Sequence, residues 1–400
     1  METIEDNNLS LKRDCVSVDR SFINYLRKHG GDKFKKCFQC GTCCVVCSLS
    51  PQDEPFPRRE MILANWGQKK KLISDPNVWL CHGCTDCNLY CPRGAKPADL
   101  LSALRSYVVE SFSFPQFMGR GLKNPKYLWL FILAPVLIFF LIPFLHLGEN
   151  LSQLTVAPAV YNMAFPEQIL EFLFITGNVL IFSFAGFSLF RYWQALGSEN
   201  TEPPLRSFFS AFVLTIRDLV THRNFRVCSS TSSRYWGHLL VFYGFIGAMA
   251  TAGLALISET ILKMQIPLPL LSPVKILGDI SGALMLIGST IIIIKRVRTK
   301  GELGSSTYDD WLLIFLILFV ALTGLLTETM RIIAAPLVAY ITYFLHLVLV
   351  FCLLWYAPYS KLGHIFYRTL ALTWLNMHRS VDTEFIRTPE PVRSFADFIL

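Results

Sequence analysis

Between Tyr127 and Tyr356 the chain carries six apolar runs of about 20 residues, the length at which a helix crosses a hydrocarbon core about 30 Å thick. Nothing else in the sequence limits the fold as strongly, because a backbone in lipid must satisfy its own hydrogen bonds, and a continuous apolar run does so as a helix. The runs lie near Tyr127 to Leu147, Leu170 to Trp193, Tyr235 to Ile257, Pro273 to Ile294, Trp311 to Met330, and Pro336 to Tyr356. A composition of 52% apolar residues with 32 Phe, and a mean hydropathy of +0.42, is too apolar for an ordinary soluble protein. Basic residues collect in alternate loops: Arg120 to Lys126, Arg191 to Arg234, Lys295 to Lys300, and Lys361 to Arg368. Positive-inside bias then places both termini and the cysteine-rich region in the cytoplasm, in a multi-pass protein of the inner (cytoplasmic) membrane. The net charge of +8 is accounted for by those loops, and no nucleic-acid reading module is visible. The first 30 residues are polar and lack an apolar h-region, so no cleaved signal peptide is expected.

The 12 cysteines are clustered, ten of them between Cys15 and Cys91, which favours metal binding over a secreted disulfide framework. Cys37, Cys40, Cys43 and Cys47 form one C-x2-C-x2-C-x3-C run; Cys81, Cys84, Cys87 and Cys91 form another, followed by Pro92. In two-cluster ferredoxins three cysteines of such a run clasp one cubane and the fourth reaches to the other. That rule assigns Cys37, Cys40, Cys43 and Cys91 to one [4Fe-4S] cluster and Cys81, Cys84, Cys87 and Cys47 to a second. Zinc also takes C-x2-C pairs, but two runs of four thiols exceed what tetrahedral sites use. Ser48 replaces the proline of the first run, and Cys44 is an extra thiol able to exchange for Cys43. Cys15 has no partner at ligand spacing and reads as an incidental thiol.

Helical periodicity covers Val18 to His29, Arg58 to Ile73, and the stretch from Pro97 to Glu110, which opens on proline. The expected organisation is therefore mainly α: an α-helical ferredoxin-like domain over residues 1–112, a linker over 113–126, a six-span membrane domain over 127–368, and a tail over 369–400. Pro204 to Val220 is short and flanked by charge, and reads as a surface helix instead of a seventh span. Asp279, Glu328 and Arg331 near the far face read as an interhelix ion pair or as part of a quinone pocket.

Histidine is the common axial ligand of haem iron. His346 and His364 are 18 residues apart, five helical turns, so one continuous helix would carry both on one face about 27 Å apart. His238, at the start of the third span, is level with His364. His146, 19 residues after Tyr127, reaches the level of His346 by helix rise, which pairs the two as ligands of a second haem; the alternatives are a histidine at the outer interface and a single-haem protein. His222 is an alternative ligand or a proton acceptor, and His82, inside the second cysteine run, is placed to tune a cluster. No Gly-rich dinucleotide fingerprint is present, so flavin or NAD is not held by that route.

The motifs Phe344-Leu-His346 through Ala357-Pro-Tyr-Ser-Lys-Leu-Gly-His364, together with Ser281-Gly-Ala-Leu-Met-Leu-Ile-Gly, make the stretch Leu170 to Arg368 resemble the membrane cytochrome b family of respiratory nitrate reductase gamma subunits. That resemblance implies two haems b, with ligands at His238, His364, His346 and the position held here by Ala248. The first hundred residues resemble the iron-sulfur C subunit of heterodisulfide reductases, carried by Pro57-Arg-Arg-Glu-Met and by Trp79-Leu-Cys81-His-Gly-Cys84 through Cys91-Pro-Arg-Gly-Ala. The fusion of the two halves is similar to the C subunits of quinone-interacting membrane-bound oxidoreductase complexes. This implies menaquinol or menaquinone as membrane substrate, the cytoplasmic flavin and iron-sulfur A and B subunits as partners, and adenylylsulfate reductase as eventual acceptor.

Overall fold

The computed structural model describes residues 17–51, 54–148, 154–157, 159–198, 203–223, 232–264, 267–298 and 306–378. Cys15, Cys228 and the segment 379–400 lie outside the described residues. Among those described there is no strand, as the mainly α reading expects.

The amino-terminal region is built from short helices: α1 (Arg20–Leu26), α2 (Thr42–Val45), α3 (Arg58–Asn65), α4 (Lys69–Ile73), α5 (Asp86–Leu89) and α6 (Pro97–Phe112). Asp19 caps α1 by accepting from the Phe22 amide. The expected single helix Arg58 to Ile73 is two, because Gly67 takes φ +64°, a left-handed conformation that stops α3. Phe22, Phe34, Met61, Leu72, Trp79, Leu100 and Leu104 form a closed core beneath the cysteine runs.

The expected linker is itself partly helical, α7 (Gln116–Leu122), leading into the first span α8 (Leu128–Leu147). The remaining spans are α9 (Glu167–Gly197), α11 (Ser232–Thr260), α12 (Pro273–Arg298), α13 (Tyr308–Ile332) and α14 (Pro336–Trp355), and among the described residues six helices are long and apolar enough to cross a membrane. α10 (Phe208–Val220) has 13 residues, about 20 Å of rise, and is too short to span. α11, α12, α13, α14 and α8 pack in that order, with α9 against α14. α11 and α12 meet backbone to backbone: a Cβ on Gly288 would sit 2.8 Å from the Gly237 carbonyl oxygen, so only glycine allows the approach.

Two expectations change at the last span. His346 and His364 do not share a helix: α14 ends at Trp355, two single turns follow at Ala357–Tyr359 and Lys361–Gly363, and His364 opens a new helix, α15 (His364–His378). Pro358 has no amide hydrogen to continue the ladder and its ring disfavours helical geometry at Ala357. The boundary expected at 368 therefore cuts through α15. That helix does not trail away: Tyr367, Ala371, Leu372, Trp374 and Leu375 join Tyr192 and Leu196 of α9 in the same core as Phe22 and Trp79. Trp79 stacks on Tyr367 with ring centroids 6.0 Å apart.

Candidate redox site

The two cysteine runs share one backbone pattern repeated at an offset of 44 residues. The second residue after the first cysteine, Gln39 or Gly83, has φ +60° or +68°; the residue after the second cysteine, Gly41 or Thr85, has φ +83° or +72°. Each loop then enters a one-turn helix, α2 or α5. In both runs an amide points at the first sulfur: Gln39 N–H to Cys37 Sγ at 3.4 Å and Gly83 N–H to Cys81 Sγ at 3.3 Å. Left-handed geometry at Gln39 and Thr85 is strained for residues with a Cβ, and loops of this kind turn several side chains toward one centre.

Cys37, Cys40, Cys43 and Cys91 together line one cavity, with Gly41, Arg58 and Met61 among its other walls, while Cys44 is not part of it. The cradle thus contains the four thiols grouped by spacing and omits the extra one. Two of the other four thiols, Cys47 and Cys87, are buried beside the charge of their neighbours. Burial and then Cys81 and Cys84 push the Cys47 thiol up to about 12. Burial, followed by Cys81, Cys84 and Cys47, pushes Cys87 up as well. Thiols this costly to ionise beside one another suit a cationic iron core that takes thiolates.

A second cavity, of about 290 Å³, lies where the second run meets the membrane helices, and four histidines reach it: His82 from the cysteine loop, His222 just after α10, His238 from α11, and His364 from α15. Their nitrogens are ordered by hydrogen bonds. His364 Nδ1–H donates to the Lys361 carbonyl at 2.6 Å, since a carbonyl only accepts. His222 Nδ1–H donates to the Val220 carbonyl at 3.0 Å, so in the neutral ring its Nε2 accepts from His238 Nδ1–H at 3.2 Å. Both His238 and His364 therefore carry their lone pair on Nε2, the tautomer that a second-shell acceptor enforces in metal-ligating imidazoles. Burial, with Arg368 and Lys361 nearby, pushes His364 down to about 4, so it is neutral and ligand-competent at pH 7. Arg296, Arg368 and Lys361 supply cationic groups at the same cavity, with Lys361 paired to Asp310 at 2.9 Å. Paired imidazoles with cations beside them fit a haem, whose iron takes axial histidines and whose edge bears two carboxylates.

Arg368 links this cavity to the clusters: its guanidinium lies 2.7 Å from His82 Nε2 and 3.0 Å from His82 Nδ1. Sequence reasoning missed this contact between residues 286 positions apart. It also left the role of His222 open; here it is the partner of His238.

The far level is different. His346 Nδ1 lies 3.1 Å from Thr323 Oγ1, whose own hydrogen goes to the Phe319 carbonyl at 2.6 Å, so the histidine donates. Its ring faces Gly324 of α13. His146 is exposed near the end of α8. Neither residue lines the histidine cavity. Glu328 accepts from Lys275 at 2.6 Å and Arg331 at 2.8 Å, the interhelix ion pair that was one reading of these charges; Asp279 is exposed and takes no part in it.

Comparisons with known proteins match two parts of the chain separately. Residues 33–95 match the 4Fe-4S dicluster domain family, and residues 123–383 match the family described as citrate utilization protein B. The chain is 38% identical over 107 residues to the C subunit of the H2:CoB-CoM heterodisulfide,ferredoxin reductase of Methanothermobacter marburgensis, a match covering 26% of this chain and 57% of that one. It is 26% identical over 132 residues to a protein of Archaeoglobus profundus described as like the C subunit of heterodisulfide reductase, covering 31% and 70% respectively. A third relative is the E subunit of the dihydromethanophenazine:CoB-CoM heterodisulfide reductase of Methanosarcina barkeri, 26% identical over 179 residues, or 41% of this chain and 66% of that one. The chain thus spans little more than half the length of the first of these relatives. No solved structure matches. With an iron-sulfur dicluster domain ahead of six apolar helices, and relatives that are oxidoreductase subunits, the chain is an iron-sulfur electron-transfer membrane protein and belongs to the citrate utilization protein B family.

Proposed function

We propose that this chain is the membrane-anchoring subunit of a multi-subunit oxidoreductase and carries electrons between menaquinol in the bilayer and cytoplasmic flavin and iron-sulfur subunits. Cys37, Cys40, Cys43 and Cys91 hold one [4Fe-4S] cluster; Cys81, Cys84, Cys87 and Cys47 hold the other; His238 and His364 are the axial ligands of a haem b. Bound at these residues, the clusters and the haem supply one-electron storage between the two-electron chemistries of quinol and flavin. The observation that carries this reading is the four-histidine cavity, because it joins two ligand-ready imidazoles of the membrane helices to His82 of a cysteine loop. In this reading Arg368 holds His82 in place and stabilises negative charge on the adjacent cluster, while His222 orients His238 and raises its basicity. The basic loops support a cytoplasmic position for this end, with partner subunits on the exposed side of the cluster domain. The second haem proposed on His346 and His146 has less support, since His146 is exposed and neither residue lines the histidine cavity. By resemblance, the partners are the A and B subunits of a quinone-interacting complex that delivers electrons to adenylylsulfate reductase.

A second reading reverses the flow, from a soluble flavoprotein through the clusters to quinone; the oxidoreductase relatives favour neither direction. The purified full-length protein tests both. A pyridine haemochrome spectrum is expected to show haem b, and iron analysis about eight non-haem iron atoms per chain. Zinc in place of iron, or no haem b, would falsify the proposal. Cluster bleaching by menaquinol, compared with menaquinone reduction by pre-reduced clusters, separates the two directions.

A further inference from the structure

A separate cavity of about 250 Å³ lies between α8, α13 and α14. Phe131, Leu316, Phe319 and Val348 give it apolar walls, and Lys123, Asp309 and Lys361 form its polar end. Lys123 donates to the Ser106 carbonyl of α6, so the polar end abuts the iron-sulfur domain instead of opening to the far side of the membrane. Burial lowers Lys123 to about 8, and the Asp309 charge works against that shift. Only Leu313 and Lys361 line both this cavity and the histidine cavity, so the two are separated by one layer of side chains. Asp309 and Asp310 are consecutive on α13, about 100° apart around the helix, and each serves one side of that wall.

An apolar slot ending in two ammonium groups, Lys123 and Lys361, and one carboxylate, Asp309, with Lys361 also held by Asp310, suits a ligand with a hydrocarbon tail and a flat head carrying one donor or acceptor at each end. A phospholipid fits poorly, because its phosphate would lie against the Asp309 carboxylate with α6 closing over it. We propose that this cavity binds the ring of a prenylated quinone or quinol, with its oxygens toward Lys123 and Asp309 and its tail along α8 and α13. The proposal rests on the electron-transfer reading above and deepens it by naming the membrane-substrate site. Oxidation of a bound quinol would break both O–H bonds: Asp309 would accept one proton, the other would leave to water, and the two electrons would be taken one each by the two iron-sulfur centres that the eight cysteines would hold beyond the Leu313–Lys361 wall. The products would be quinone, two protons and two reduced clusters.

The test uses full-length, iron-replete protein in nanodiscs and the fluorescent quinol analogue 2-heptyl-4-hydroxyquinoline N-oxide. Quenching is expected to titrate one site per chain. Leu316→Trp, which fills the slot, should weaken binding about tenfold or more, and Asp309→Asn should weaken it several-fold. Leu254→Trp on the exposed face of α11 serves as control and should bind as wild type. Short-chain menaquinone should displace the probe and oleate should not. Wild-type affinity in both Leu316→Trp and Asp309→Asn, or displacement by oleate alone, overturns the site assignment. Binding lost in Leu316→Trp but with wild-type clusters left oxidised by menaquinol overturns the redox step and the electron-transfer reading, and leaves the binding assignment standing. Clusters reduced at the wild-type rate in Leu316→Trp overturn the site while that reading survives.

Discussion

On the side of the bundle facing the clusters, four separate elements each deliver a histidine to one cavity, and hydrogen bonds donated to the Lys361 carbonyl, the Val220 carbonyl and His222 Nε2 fix the rings of His364, His222 and His238. On the far side, His346 has Thr323 for a partner, and His146 is exposed on another helix. Both levels looked equivalent when judged by helical rise alone. Their difference teaches that a polar site in a bundle is made by several elements converging on one cavity, and that two rings at matching depth do not make one.

The comparison can be broken at several points. The largest effect is expected at the cysteines: Cys84→Ser should remove one cluster, lowering non-haem iron by roughly half, about four atoms per chain. Unchanged iron would detach the cysteine loop from the near level. Next, His238→Ala or His364→Ala should abolish the haem b Soret band, whereas His346→Ala should leave most of it. An equal loss in all three would restore the symmetry of the two levels. His222→Phe leaves both proposed ligands in place but removes the acceptor behind His238, and should weaken haem retention about 10- to 100-fold on gel filtration. At the far level, Glu328→Gln leaves Lys275 and Arg331 facing one another and should cost about 2 kcal/mol of bundle stability, read as a lower unfolding temperature in detergent.

The smallest effect concerns the platform under the near level. Glu60 is 1% exposed, and burial, then Asp75, hold its carboxyl well above the usual range. The folded protein therefore binds this proton more tightly than the unfolded chain does. Stability from the neutral acid is present below pH 4.5 and is lost as pH rises through the raised value. Glu60→Gln should raise the unfolding temperature by a few degrees at pH 8 and change it little at pH 4.5; equal shifts at both would mean that Glu60 is not protonated in the fold.

Much of this was legible because it is local. The apolar runs, the cysteine spacing and the proline at the start of α6 each act within one or two turns, and the elements form where those signals lie. What failed also had a local cause: Pro358 was passed over in extending one helix to His364, and Gly67 in extending α3. The 44-residue offset between the cysteine runs was available in the sequence as well. The contact of Arg368 with His82 was not, because it depends on how α15 returns to the cluster domain, and no local signal encodes that return.

The stacking of Trp79 on Tyr367 has a mechanical corollary. Interior side chains from the thiol-bearing segment, from α9 and from the final helix interlock, so the cofactor platform is bolted to its anchor with no swivel between them. Tunnelling rates fall exponentially with gap width, and a bolted relay keeps that gap constant where a swinging carrier would sweep through many values.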